Sequence, residues 1–226
     1  MGESAMPKKK NSLAHAAALV PLAIGLAMNG VGAKDHATHS TTTAVAACSQ
    51  FDIDGTASES LAAEGATTPS TCRTRVKNGF LLPDPACTPG AVNPTITTDV
   101  LQDSSFRTAC VRGHASSPAD KNQTYVNYGI SHPDHNTGQT QTCELDHLIS
   151  LELGGADTVD NIWPQCGPDN VALSERYFKR KDGVENFLAK QVRDGKMSLA
   201  DAQKGIAEDW TQFLAASEGC EGAACE

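Results

Sequence analysis

No cysteine occurs before position 48, and no two of the eight cysteines stand at C-x-x-C spacing. The missing spacing argues against a structural zinc site of the usual kind. Basic residues are outnumbered, 18 Lys and Arg against 27 Asp and Glu, for a net charge of −9. That balance argues against a surface coated for tight, nonspecific nucleic-acid binding, although a local basic strip remains compatible with it. Aromatics are scarce at 5%, yet the 39% apolar fraction is enough for one core in a chain of 226 residues. No run of alternating strands and helices announces a large α/β domain.

The N-terminus reads as a targeting segment. Lys8, Lys9 and Lys10 form a basic n-region, Leu13 to Met28 is apolar and alanine-rich, and Val31-Gly32-Ala33 fits a small-residue cleavage site. The other reading is a membrane anchor, for which the run is short and weak. Residues 1–33 are therefore expected to be a signal peptide, making the chain exported, periplasmic or secreted, with no stable membrane association after cleavage. All eight cysteines lie beyond that point and are even in number, so an oxidising compartment implies about four disulfides. Cys143 with Cys166 and Cys220 with Cys225 are the expected local pairs.

Residues 34–70, rich in Ala, Thr and Ser, read as a low-complexity linker. Val45-Ala46-Ala47-Cys48 resembles a lipobox, but a polar stretch separates it from the apolar run. Phe51-Asp52-Ile53-Asp54-Gly55-Thr56 has the two aspartates of a haloacid-dehalogenase-type phosphatase. That chemistry needs a buried strand end, so a phosphatase built on Asp52 and Asp54 is a minor alternative. Residues 71–142 hold many Pro and Gly breakers with short strand-like pieces at 80–82 and 125–128, a loop-rich part that disulfides staple. His132 and His135 read as a polar turn rather than metal ligands. Downstream, apolar residues at helical spacing predict helices over 173–194 and from Ser198 to near Gly219. The short link at 194–197 makes them an antiparallel hairpin, and Trp210 reads as core. The domain expected over 71–219 thus ends in a Cys-containing tail, 220–226, and its class is α+β.

Chemistry concentrates in Cys143-Glu144-Leu145-Asp146-His147-Leu148-Ile149, followed by Gly154-Gly155 and Asn161-Ile162-Trp163-Pro164-Gln165. Asp146 is a hard oxygen donor suited to Mg²⁺ or Mn²⁺. His147, when neutral, accepts a proton from water at physiological pH. A surface Asp–His pair in a structural turn is the other reading. Glu144, two residues before Asp146, shares its side of a strand and is either a further ligand or a solvent-facing carboxylate. Arg176, Lys179, Arg180 and Lys181 make a basic strip able to meet phosphates, or else a solvated helix face.

This stretch, with Lys181-Asp182 and Glu185 downstream, resembles the HNH endonuclease family. The resemblance implies a ββα-metal core, in which a hairpin and a following helix grip one divalent ion. It implies His147 as general base, Asp146 as metal ligand and Asn161 as the brace of the hairpin loop. Asn170 is the best-placed candidate for the last metal ligand. The implied activity is metal-dependent hydrolysis of nucleic-acid phosphodiester bonds, DNA ahead of RNA, leaving 5′-phosphate and 3′-hydroxyl ends. The alternative from another class is an inactive, disulfide-rich binding module on the same fold.

Overall fold

Prolines and glycines divide the chain into short elements, and a computed structural model describes residues 48–220 of it. The six strands are β1 (Glu59–Ser60), β2 (Arg75–Lys77), β3 (Phe80–Leu82), β4 (Ala91–Val92), β5 (Cys143–His147) and β6 (Ile162–Cys166). The helices are α1 (Thr98–Gln102), α2 (Pro118–Asn127), α3 (Tyr177–Arg193) and α4 (Leu199–Asp209). The strands form three separate antiparallel ribbons, β1 with β4, β2 with β3 and β5 with β6. The class is α+β.

Local chemistry accounts for the boundaries. Ser117 caps α2 in a reciprocal box with Asp120, and Pro118 supplies a preset φ at the first helical position. Gly195, at φ +68°, ends α3. Its N–H bonds to the Val192 carbonyl and the next N–H to that of Gln191, a Schellman closure. Ser198 then opens α4 by accepting from the Asp201 N–H at 3.0 Å. The expected helix hairpin is present, though its first member starts at Tyr177 after a single 3-10 turn at Leu173–Glu175.

Phe178, Val184, Leu188 and Val192 line the buried stripe of α3. Val184, Leu188 and Val192 pack with Ala202, Ile206 and Trp210. Fully burying each large aliphatic stabilises by about 2 kcal/mol. Ile149, Leu151 and Leu153 plug the loop after β5 into the same cluster. A second cluster gathers Leu148, Trp163 and Tyr128 around Cys72 and Cys87.

Three disulfides are formed within the described residues: Cys48–Cys110, Cys72–Cys87 and Cys143–Cys166, the last joining the two strands at the open end of the β5–β6 ribbon. Cys220 is disulfide-bonded too, but the expected pairing with Cys225, like the signal peptide, lies outside the described residues. The expected linker needs correction from residue 48 onward. Cys48 is tied to Cys110, Phe51 meets the Phe106 ring and β1 pairs with β4. A long-range cross-link and an edge pairing anchor sequence whose composition alone reads as loose. The cross-link also rules out the lipobox reading, because the Cys48 thiol is consumed. Asp52 and Asp54 are exposed, and Asp54 closes a turn on Thr56 rather than ending a buried strand. Among the described residues no helix is long and apolar enough to cross a membrane.

Candidate functional site

The β5–β6 ribbon positions the site through its register. Glu144 lies opposite Gln165, Asp146 opposite Trp163 and His147 opposite Ile162. Successive strand residues point to opposite faces, so Asp146 and His147, adjacent in sequence and both buried, look into different surroundings. Beyond β5 the chain turns at Gly154 (φ +71°) and Gly155. A Cβ on Gly155 would overlap the Ile149 carbonyl, so no other residue fits there. Asn161 holds this turn shut. It accepts from the Ile149 N–H at 3.0 Å and donates to the Ile149 and Ala156 carbonyls at 2.9 and 2.8 Å. These bonds brace the turn, and among the described residues none joins the amide to the imidazole.

On one face, Asp146 meets donors from the neighbouring strand and from α3. Trp163 donates its indole N–H to Asp146 Oδ2 at 2.9 Å. Lys181, wholly buried on α3, places its ammonium 3.1 Å from Oδ1 and 3.0 Å from Oδ2. The same ammonium donates to the His147 carbonyl at 2.7 Å and to Glu185. Burial alone would lower the Lys181 pKa, but Asp146 and Glu185 outweigh it and hold it above the ordinary value. Burial raises both carboxylates, Asp146 and Glu185, and outweighs the lowering pull of the ammonium they share. Glu144, half-buried on this face, is pushed up to about 7 by burial and then by Asp146 and Asp182.

On the other face, His147 Nε2 lies 2.8 Å from Asp157 Oδ1. Asp157 also receives the Lys121 ammonium at 2.6 Å and the Gly113 N–H. Burial would raise its pKa, but these hydrogen bonds dominate and hold it at about 2. An ionised carboxylate only accepts, so Nε2 must carry the proton. The lone pair is then on Nδ1, to which nothing among the described residues is hydrogen-bonded. Burial keeps the ring neutral, lowering its pKa against the opposing pull of Asp157.

Both faces open on one cleft of about 230 Å³ lined by Arg112, Glu144, Asp146, His147, Ser150 and Glu185 among others. Arg112 is exposed and its guanidinium forms no ion pair among the described residues. Ser150 Oγ is buried without a partner. A larger open groove of about 660 Å³, lined by His114, Ser117, Lys121 and Asn122, shares Leu145 with the cleft.

The remaining expected residues lie elsewhere. Asn170 is exposed in the loop after β6 at φ +60°, a conformation asparagine tolerates, and it does not line the cleft. It therefore serves a turn rather than the ion. Arg176 is buried against the Pro168 carbonyl and Asp169. Lys179 pairs with Asp182 at 2.7 Å, and Arg180 stands 3.6 Å from Glu175. With Lys181 internal as well, the four residues do not form a free basic strip: two are buried and two face carboxylates. Asp157, Lys121, Arg112 and the inward role of Lys181 are what sequence reasoning missed. For Lys181 a signal existed, since it lies three residues from both Phe178 and Val184, on the apolar stripe of its helix.

The divalent ion implied by the HNH resemblance can be tested against these donors. Asp146 already takes two N–H groups, one from an ammonium that would repel a second cation, and Asn170 is not in the cleft. Among the described residues no three His, Cys, Asp or Glu side chains are arranged to hold a metal. The set Asp146, Asn170 and Glu144 does not fit Mg²⁺ or Mn²⁺, ions that demand several free oxygens in near-octahedral array. Comparisons with protein-family models, curated proteins and solved structures find no match to this chain. The HNH resemblance therefore rests on the motif residues themselves.

Proposed function

We propose that this protein is an exported phosphodiester hydrolase of the HNH type, cleaving nucleic acid with His147 as general base. The observation that carries the reading is the placement of the His147 ring: Nε2 held 2.8 Å from Asp157 Oδ1, with Nδ1 uncommitted among the described residues beside an open cleft. A base held in one tautomer and one orientation is what proton abstraction from an attacking water needs. The order of two strands, a braced turn and a helix supports the same reading. Three disulfides fit an oxidising setting such as the periplasm or cell exterior.

In this mechanism Nδ1 takes a proton from water as its oxygen bonds to phosphorus, the in-line P–O3′ bond breaks, and the departing 3′-oxygen takes a proton from solvent to leave 5′-phosphate and 3′-hydroxyl ends. Arg112, unpaired in the same cleft, neutralises charge on the phosphate oxygens. The open groove lined by His114, Ser117 and Asn122 provides the track for the adjoining backbone, in place of the occupied α3 residues. Asn161 keeps the turn after β5 in shape and touches no substrate. DNA is the preferred substrate class, ahead of RNA. The test is nicking of supercoiled plasmid by wild type and His147→Ala, with and without added Mg²⁺ or Mn²⁺. Nicking by wild type alone supports the reading. Equal activity in both, or none in either, overturns it, and none in either leaves the binding-module alternative standing.

A further inference from the structure

We propose that Lys181 is the resident cation of the Asp146 site, its ammonium standing where the HNH resemblance would put a divalent ion. Asp146 is then the partner of α3 and not a metal ligand. The proposal takes its meaning from the hydrolase reading, but it is tested by metal binding and not by cleavage.

The geometry is that of a filled site. An ammonium has three hydrogens and no acceptor, and Lys181 directs its donors at three groups: the Asp146 carboxylate, the His147 carbonyl and Glu185. These are the ligand types that a hard cation collects, two carboxylates and a backbone carbonyl. Lys181 is 0% exposed, so water does not share the coordination. A surface lysine with a passing ion pair would leave hydrogens to solvent. The bond to the His147 carbonyl adds a positioning role. Lys181 fixes the backbone that carries the imidazole while Asp157 fixes the ring itself. One residue of α3 thereby does what an ion shared between strand and helix does elsewhere: it locks the helix to the end of β5.

The proposal makes a demand that a purely structural lysine does not. Removing the ammonium should leave a vacant cation site bounded by Asp146, Glu185 and a carbonyl. Free Mn²⁺ is followed by electron paramagnetic resonance in wild type, Asp146→Asn, Lys181→Ala and the double variant, with folding checked by circular dichroism. Wild type and Asp146→Asn should bind Mn²⁺ with affinities within twofold of each other. Lys181→Ala should gain a site at least tenfold tighter, lost again when Asp146→Asn is added. A tenfold loss of Mn²⁺ affinity on Asp146→Asn alone overturns the proposal, as does a folded Lys181→Ala with no gain. If Lys181→Ala does not fold, anomalous diffraction from Mn²⁺-soaked wild-type crystals decides the matter. A manganese peak within coordination distance of Asp146 overturns it, and Lys181 density on Asp146 without such a peak supports it. Absence of plasmid nicking would sink the hydrolase reading and leave these outcomes unaltered.

Discussion

Asp146 and His147 are consecutive, both buried, at 4% and 8% exposure, yet chemically opposite. Asp146 accepts from Trp163 and Lys181, with both carboxylate oxygens engaged and Lys181 linking it to Glu185. His147 faces Asp157, uses one nitrogen and leaves the other uncommitted. Burial by itself therefore does not separate a structural polar group from a reactive one. The number of partners against the number of bonding positions does.

The largest expected break in this comparison is His147→Ala. Loss of a general base lowers turnover by about 10³-fold, with folding intact by circular dichroism. Asp146→Asn, measured beside it per folded molecule, should lose far less turnover and more stability. A turnover loss from Asp146→Asn equal to that from His147→Ala would erase the distinction between the faces.

Lys181→Ala attacks the saturated face. It leaves Asp146 and Glu185 buried around a missing ammonium, so urea denaturation should show destabilisation of about 3–5 kcal/mol. A change below about 1 kcal/mol would mean that the ammonium is dispensable.

Asp157→Asn sharpens the reactive face. Asparagine can offer an N–H to Nε2 and reverse the tautomer, costing about 30-fold in turnover, roughly 2 kcal/mol. The sign of the pH effect follows from the partners. Asp157 raises the imidazole pKa against burial, so removing it lowers that pKa further. The acid limb of the pH–rate profile should move to lower pH, and a move to higher pH would contradict the assigned pairing.

Glu144→Gln makes a smaller change. The folded-state pKa of Glu144 is raised from 4.5 to about 7, so the fold favours its neutral form. Its contribution to stability is complete below pH 4.5 and is lost as pH rises through about 7. The amide variant should match wild type at pH 4 and exceed it at pH 8, by on the order of 2 kcal/mol. Arg112→Ala should have the smallest effect, weakening substrate binding about tenfold with a shallower salt dependence.

Much of the scaffold was legible because it is local. The Asp146–His147 pair, the double-glycine turn, the Asn161 brace, the Cys143–Cys166 pair and the Ser198 cap all involve residues close in sequence or in strand register. What was hidden was long-range. Asp157 is an unremarkable loop aspartate until folding sets it against His147, and Lys121 and Gly113 reach it from elements far upstream. Cys48–Cys110 spans 62 residues, a pairing that spacing cannot choose among many. Lys181 was misjudged for a different reason. Charge runs on helices are usually solvated, and that expectation overrode its place on the stripe with Phe178 and Val184.

The imidazole of His147 offers the most direct measurement. Nitrogen-15 chemical shifts of its two ring nitrogens at pH 7 distinguish the tautomers and the cation. A neutral ring protonated at Nε2, with an unprotonated Nδ1, is the predicted result. A ring protonated at Nδ1, or at both nitrogens, would contradict the assignment of His147 as the base.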